Sequence, residues 1–352
     1  MKILQILPEL NEGGVERGVV EFNRELVKLG HESFVVSAGG RLVEQIEADG
    51  GVHIEAPVAS KNILSAPVRV AKLKTIIDAI DPDIVHARSR VPAWLALFAK
   101  GARPFVTTVH GFYSVSPYSA VMTKGDRIIC VSRPIMEYVR KNYRVDENRL
   151  RLVHRGVDLH RFDPKHVDEA FIADFKRKWG LEGKYVIASI GRITQLKNYE
   201  LLIEAMRRIE GVLLIVGGVH PKRKEYFERL LKLVDALGLS DRVKFVGSQS
   251  RVAEIYALSD LIVSASSKPE SFGRTLVEAL AMETPVLAAR HGGSLDIIED
   301  EQMLFEPGNV EELVEKVKHL QQNPPQNLRD IAKKFSLEQM VQKTLRVYEE
   351  LV

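Results

Sequence analysis

Cysteine is nearly absent. Cys130 stands alone among 352 residues, which excludes a disulfide framework and any cysteine-based zinc site. No stretch approaches the roughly 18 consecutive apolar residues that span a bilayer. The opening MKILQILPELNEGG is too short in its apolar part for a signal peptide, and acids follow at once. Charge of one sign is lacking too: 50 Lys+Arg against 47 Asp+Glu leave +3, too little for a dedicated nucleic-acid binder. Low-complexity and short-period repeats are missing, which excludes a solenoid. These absences predict a cytoplasmic protein with ordinary cores.

What is present is alternation. Hydrophobic residues make up 45% and charged residues 28%, ordinary for a globular enzyme. At about 150 residues per domain the chain holds two. Short apolar runs at 3–6, 34–37, 52–56, 83–86, 105–109, 127–131 and 151–153 read as strands separated by helical patterns. A second cycle has strands at 185–190, 212–216, 243–246, 261–264 and 285–288. Apolar strands between amphipathic helices predict parallel sheets covered on both faces. The fold class is therefore α/β, with two doubly wound, Rossmann-like domains at 1–165 and 166–336. A last helix, about 337–352, has no following strand and can return to the first domain.

Charge divides unevenly, +5 over residues 1–165 and −2 over the rest. Lys61, Arg69, Lys72 and Lys74 alternate with apolar residues at helical spacing. That pattern suits either an anionic membrane surface or the solvated face of an ordinary helix.

Ligands of open α/β sheets sit beyond the carboxyl ends of strands, so residues just after strands carry the functional reading. Gly13 and Gly14 open the first helix, where backbone N–H groups can approach a phosphate; a plain tight turn explains them equally well. They do not complete the six-residue dinucleotide fingerprint, which disfavours a nicotinamide enzyme. His110 follows the fifth strand and suits a polar contact in a cleft or a structural role. Arg192 and Lys197, after Gly191, can clamp a diphosphate: one is a planar fork, the other a point charge. Glu270 and Glu278 bracket Gly273, where a helix should start. A loop carboxylate can bind sugar hydroxyls, a helix N-terminus a diphosphate, and a carboxylate further along a ribose. Solvated glutamates at each end of a helix are the plainer account. His291-Gly-Gly293 adds a further glycine loop at the same edge.

Together Gly13-Gly14, Thr108-Val-His110-Gly, Val131-Ser132, Gly156-Val-Asp158, Gly191-Arg192 with Lys197, and Glu270 with Glu278 resemble family four of the retaining glycosyltransferases, whose GT-B fold has two facing doubly wound domains. The resemblance spans nearly the whole chain. It implies that Gly13 and Gly14 serve the donor diphosphate and that His110 contacts the transferred sugar. Arg192 and Lys197, on the loop opened by Gly191, would neutralise the leaving diphosphate. Glu270 would bind sugar hydroxyls, with Ser271, Phe272, Gly273 and Thr275 around the donor. Glu278 would hold the ribose, and the loop after Val246 and Gly247 would meet the base. It implies no cofactor and no metal, the donor being a UDP, GDP or ADP sugar. Arg155, Arg88 and Arg274 stand where the family pattern commonly differs. The partners implied are a nucleotide-sugar donor, a glycan or glycolipid acceptor of lipopolysaccharide or other surface polysaccharide, and an anionic membrane surface on the inner face of the plasma membrane, with no nucleic acid. The rival readings are a sugar-nucleotide epimerase of the same fold, which converts donor alone, and a non-catalytic nucleotide-sugar-binding protein.

Overall fold

Every strand pairing among the described residues is parallel, and the strands form two sheets. The computed structural model describes residues 1–11, 13–220 and 223–352. The first sheet has β1 (Lys2–Ile6), β2 (Glu32–Ser37), β3 (Val52–Glu55), β4 (Ile84–Ala87), β5 (Phe105–Val109), β6 (Arg127–Cys130) and β7 (Leu150–Leu152), in the order β3-β2-β1-β4-β5-β6-β7. The second has β8 (Val186–Ile190), β9 (Val212–Val216), β10 (Val243–Gly247), β11 (Leu261–Ser264), β12 (Val286–Ala289) and β13 (Leu304–Phe305), in the order β10-β9-β8-β11-β12-β13. Each strand expected from the sequence is there. β13 was not expected, because its two residues carry no periodic signal.

Central strands are buried, and mostly apolar, because helices cover both faces. Val-Leu-Leu-Ile-Val of β9 and Phe-Val-Thr-Thr-Val of β5 are buried at every position. Edge strand β3 is buried nowhere along its length. Helix Gly14–Lys28 presents Val19, Phe22 and Leu26 to the first core, and helix Arg274–Ala281 presents Leu276, Val277 and Leu280 to the second.

The chain divides into Met1–Gly156 with Leu337–Val352, and Val157–Ser336. The division thus falls after Gly156, not after residue 165. Residues 157–163 belong to the second unit for tertiary reasons that the sequence hides. Val157 pairs with Ser336 as an isolated parallel bridge, and its N–H donates to the Phe335 carbonyl at 3.0 Å. Arg329 donates to the carbonyls of Phe162 (2.8 Å) and Leu159 (2.9 Å) and pairs with Asp163 at 3.0 Å.

Helix Leu337–Glu349 belongs to the first unit and buries Leu337, Val341, Leu345 and Tyr348 along one face. Tyr348 meets Phe22 edge-on, ring centroids 6.2 Å apart. Its hydroxyl is hydrogen-bonded to His86 Nδ1 at 2.5 Å, and His86 Nε2 to Thr108 Oγ1 at 2.7 Å. His86 is therefore a structural histidine with both nitrogens satisfied. Tyr348→Phe keeps the ring and orphans His86 Nδ1, so it should cost about 1–3 kcal/mol. Urea unfolding of the full chain checks this; an unchanged midpoint would remove the polar tie from the account.

Candidate functional site

Strand order reverses between β8 and β11 in the second sheet, the place where open α/β sheets form a crevice at their carboxyl ends. The loop after β8 carries Gly191, Arg192 and Lys197; the loop after β11 carries Ser266 to Gly273. Ser267 N–H donates to the Leu196 carbonyl at 2.8 Å, which straps the two loops together. Lys197 Nζ then reaches Glu270 Oε1 at 2.7 Å. Gly191 makes room for this: a Cβ there would stand 2.6 Å from Lys197 Cε.

Glu270 Oε1 also accepts from the Ser266 hydroxyl. Burial pushes the Glu270 carboxyl up, but the Lys197 charge and hydrogen bond, with Ser266 and His291, outweigh it and hold the group below its ordinary value. His291 Nε2 is hydrogen-bonded to the Ser266 carbonyl at 2.8 Å, and Gly293 N–H donates to the Glu270 carbonyl at 2.8 Å. A narrow pocket beside Glu270 is lined by Ser266, Gly273, His291 and Ser294. Ser266 and His291 belong to the cluster although the sequence singled out neither as a site residue; His291 directly before Gly-Gly, just past β12, was the available signal.

Arg192 departs from expectation. The sequence pairs it with Lys197 as one clamp, whereas its side chain is exposed and has no ion-pair partner among the described residues. The structure brings Lys197 to Glu270 and leaves Arg192 in solvent, because only Lys197 lies on the turn that folds back over Gly191.

Gly273 precedes helix Arg274–Ala281, and no side chain caps it. Its first-turn N–H groups, with Ser271, Phe272 and Thr275 around them, are of the kind that receive an anion. Phe272 is buried against Phe335 at 5.5 Å. Glu278 is not a solvated helix glutamate. Its Oε2 accepts from the Tyr256 hydroxyl at 2.8 Å and its Oε1 from Arg274 Nε at 3.2 Å, with 13% of the side chain exposed. Val246 is buried and Gly247 exposed at the carboxyl end of β10, two strands from β8.

In the first sheet the order reverses between β1 and β4. Gly13 and Gly14 lie past β1 at the start of helix Gly14–Lys28, which has no side-chain cap. Arg88 follows β4 and His110 follows β5. Both ring nitrogens of His110 are buried without a hydrogen-bond partner among the described residues. Burial, then the charges of Arg155 and Arg88, hold His110 well below the usual 6.5.

No group of three His, Cys, Asp or Glu side chains among the described residues could hold a metal ion. The sequence does contain an Asp-x-Asp by letters, Asp81-Pro82-Asp83. It lies at the amino end of β4, where Asp83 accepts from Lys2 N–H at 2.7 Å and Asp81 pairs with Arg103 at 3.0 Å.

Two doubly wound parallel sheets in one chain are the architecture of the GT-B glycosyltransferases. Residues 12–161 match the model of glycosyltransferase family 4, and residues 171–336 that of the glycosyl transferases group 1. The chain belongs to this glycosyltransferase family. A glycosyltransferase from Rickettsia africae superposes with a TM-score of 0.90 at 31% identity, over 99% of this chain and 98% of that one. An Anabaena protein solved with UDP-glucose superposes with a TM-score of 0.84 at 21% identity, over 99% and 100%. D-inositol 3-phosphate glycosyltransferase of Mycolicibacterium smegmatis is 34% identical over 60% of this chain and 52% of its own length. The chain spans about half the length of the curated relatives it matches. Among the described residues no helix is long and apolar enough to cross a membrane.

His86 and His110 are both held neutral in the folded chain, first by burial. Below their ordinary value of 6.5 the unfolded chain binds protons that the folded chain refuses. Stability is therefore full above that pH and falls beneath it, by about 1.4 kcal/mol per pH unit for each histidine. Glu270, held below the ordinary 4.5, adds its own loss only in the more acid range. Urea unfolding between pH 7.5 and pH 5 measures the first window; constant stability across it contradicts the neutral histidines.

Proposed function

We propose that this protein is a retaining glycosyltransferase that moves a sugar from a nucleotide-diphosphate sugar to a glycan or glycolipid acceptor, in the assembly of lipopolysaccharide or another surface polysaccharide. The observation that carries the reading is the Lys197–Glu270 pair, 2.7 Å apart at the switch point of the second sheet.

An ammonium group has three hydrogens to donate. Lys197 can keep Glu270 with one and meet a phosphate oxygen with another. Arg192, exposed on the same loop, adds a guanidinium fork. The unit Val157–Ser336 is the donor domain, and Met1–Gly156 with Leu337–Val352 the acceptor domain. As the bond from sugar to diphosphate breaks, negative charge gathers on the leaving oxygens and positive charge on the sugar ring. Cations already fixed in place stabilise that charge without reorganising. Lys197, Arg192 and the uncapped helix at Gly273 take the part a metal plays elsewhere. Glu270 contacts the sugar, Glu278 the ribose and the loop after Gly247 the base. Among the described residues that line the pocket beside Glu270 there is no second carboxylate to act as a nucleophile. Retention then follows from attack on the face the diphosphate leaves, with a leaving phosphate oxygen taking the acceptor's proton. UDP leads the candidate nucleotides, since the Anabaena protein of this fold was solved with UDP-glucose; GDP and ADP complete the panel.

Arg192→Ala or Lys197→Ala should each lower kcat by at least about 10²-fold, the scale of one lost transition-state donor. Radiolabelled sugar transfer reads this directly, and near-normal turnover in both variants contradicts the assignment. Donor converted to an epimer without acceptor would replace it with the epimerase.

A second observation bears on the acceptor. Ile63, Leu64, Val68 and Phe98 are exposed, Leu64 by 91%, beside a groove of about 590 Å³ between helices Ala66–Ile80 and Arg90–Ala99. Arg69 does not serve the surface: it is buried, donating to the carbonyls of Ser60 (2.7 Å) and Asn62 (2.6 Å) and so holding up the loop that displays Ile63. Lys74 pairs with Asp78 and Arg140 with Glu147, which leaves Lys61 and Lys72 as the exposed cations near the groove. No acidic residue occurs in 56–77 or 84–125. This face suits an anionic bilayer carrying a lipid-linked acceptor. Binding to phosphatidylglycerol vesicles at low salt should weaken with salt, and Leu64→Asp should weaken it about 10-fold or more, the loss of one buried aliphatic side chain. Sedimentation with vesicles tests this; no binding at low salt removes the membrane from the reading.

A further inference from the structure

Residues 291–293 turn just past β12 and lie against the Glu270 loop. Gly292 pairs with Glu270 as an isolated parallel bridge. Its φ is +62°, and a Cβ there would stand 2.5 Å from the Glu270 carbonyl oxygen, so glycine is what allows the approach. His291 N–H donates to the Ala289 carbonyl at 2.8 Å. The Ser294 hydroxyl donates to the carbonyls of Ala289 (2.8 Å) and His291 (2.9 Å). The backbone on both sides of His291 is thereby fixed.

The two ring nitrogens of His291 differ. Nε2 lies 2.8 Å from the Ser266 carbonyl oxygen, which can only accept, so Nε2 carries the hydrogen. In its neutral form the ring then presents Nδ1 as a bare acceptor. Nδ1 is buried and has no hydrogen-bond partner among the described residues. Two hydroxyls of the pocket that His291 lines are already spent: Ser266 donates to Glu270, and Ser294 to the two carbonyls. Buried acceptors are nearly always met by a donor, so this one calls for a partner from outside the chain. Glu270 beside it is a carboxylate and accepts only, with Lys197 and Ser266 both on its Oε1. The pocket therefore offers acceptors and asks for hydrogens. A diphosphate brings none; a sugar ring brings one on every hydroxyl.

We propose that His291 is a specificity-determining residue for the donor sugar, its Nδ1 accepting a hydrogen bond from a ring hydroxyl other than the one Glu270 holds. The assignment deepens the glycosyltransferase reading and rests on it, since that reading places the sugar at Glu270. Through Nε2 the same imidazole is tied to the Ser266 loop, so it meets the sugar from a fixed position.

Side chains that copy one nitrogen at a time separate the two roles. Glutamine sets its amide nitrogen where Nε2 lies, keeping the Ser266 contact and losing the Nδ1 acceptor. Asparagine sets its amide oxygen where Nδ1 lies and loses the Ser266 contact. UDP-glucose, UDP-galactose, GDP-mannose and ADP-glucose are titrated by calorimetry, each beside its bare diphosphate, into the full chain, His291→Gln and His291→Asn. The quantity read is the affinity of the nucleotide sugar relative to that of its diphosphate. That ratio should fall about 5- to 10-fold in His291→Gln, the range of one neutral hydrogen bond, with the diphosphate itself within about 3-fold. In His291→Asn the ratio should hold within about 3-fold even where both affinities drop, and this variant carries the test if His291→Gln fails to fold. Donors with fluorine in place of one hydroxyl at a time lose the hydrogen and keep the size. One position should weaken binding to the full chain and leave His291→Gln unaffected, the mark of a shared contact. Losses that multiply independently in variant and analogue overturn the contact. An unchanged ratio in His291→Gln leaves Nδ1 to water and ends the proposal. A ratio that falls in His291→Asn, or equal loss of sugar and diphosphate in both variants, reduces His291 to a loop anchor and ends it too. If none of the nucleotide sugars binds the full chain, the glycosyltransferase reading fails and takes this assignment with it; if one binds and the ratio stays, only His291 is dismissed.

Discussion

Lys197 and Glu270 face each other 2.7 Å apart where less than a quarter of either side chain meets water, and the second unit's site is arranged around that scarcity. Two charges taken out of water recover their hydration only through good mutual geometry and further hydrogen bonds. The further bonds are present: Ser266 donates to the same carboxylate oxygen, and the Gly293 N–H holds the Glu270 backbone. Parallel order supplies the geometry, since β8, β11 and β12 are neighbours and their carboxyl-end loops meet. A lone Lys197 or a lone Glu270 in that place would be an uncompensated buried charge. The pair thus fixes both residues before any substrate arrives, which is the preorganisation that electrostatic stabilisation of a leaving group requires.

Much of this was legible in the chain. β9 is an apolar run and β5 a β-branched one between helical segments, and that pattern gives buried parallel strands. The carboxyl-edge rule then marks Lys197, Glu270 and His110 as residues worth attention. What stayed hidden depends on contacts distant in sequence. Val157 joins the second unit because Ser336 and Arg329 hold that segment, and neither is visible from residue 157. Arg69 reads as a surface cation by spacing, yet the Ser60 and Asn62 carbonyls bury it. Arg192 and Lys197 look alike as neighbours in one loop; only the backbone path over Gly191 separates the exposed cation from the paired one. Glu278 carries no mark of its Tyr256 partner, which lies 22 positions earlier.

The units answer the same topological question with different charge. At the second switch point a cation is matched by a carboxylate. At the first, Arg88 is matched by an amide, a hydroxyl and an aromatic face. Neutral partners orient a guanidinium without cancelling its charge, so the field of Arg88 reaches His110. Burial, then the charges of Arg155 and Arg88, hold the His110 imidazole uncharged. An imidazole kept neutral retains one donor and one acceptor nitrogen, which suits contact with hydroxyls better than a third positive charge would.

His86 and His110 show how partners decide what a histidine does. His86 lies inside β4 with Tyr348 on one nitrogen and Thr108 on the other; His110 lies one residue past β5 with neither nitrogen met. Buried polar atoms in native proteins are nearly always paired, so an unpaired set at a sheet's carboxyl edge is where a ligand's atoms belong. His86 is also tied to its neighbours. Thr108 Oγ1 contacts His86 Nε2 and Arg88 Nη1, and Tyr348 brings helix Leu337–Glu349 into the same chain of hydrogen bonds. The last helix therefore does more than cover apolar surface: its tyrosine fixes His86, which in turn holds the Thr108 hydroxyl near the carboxyl end of β5.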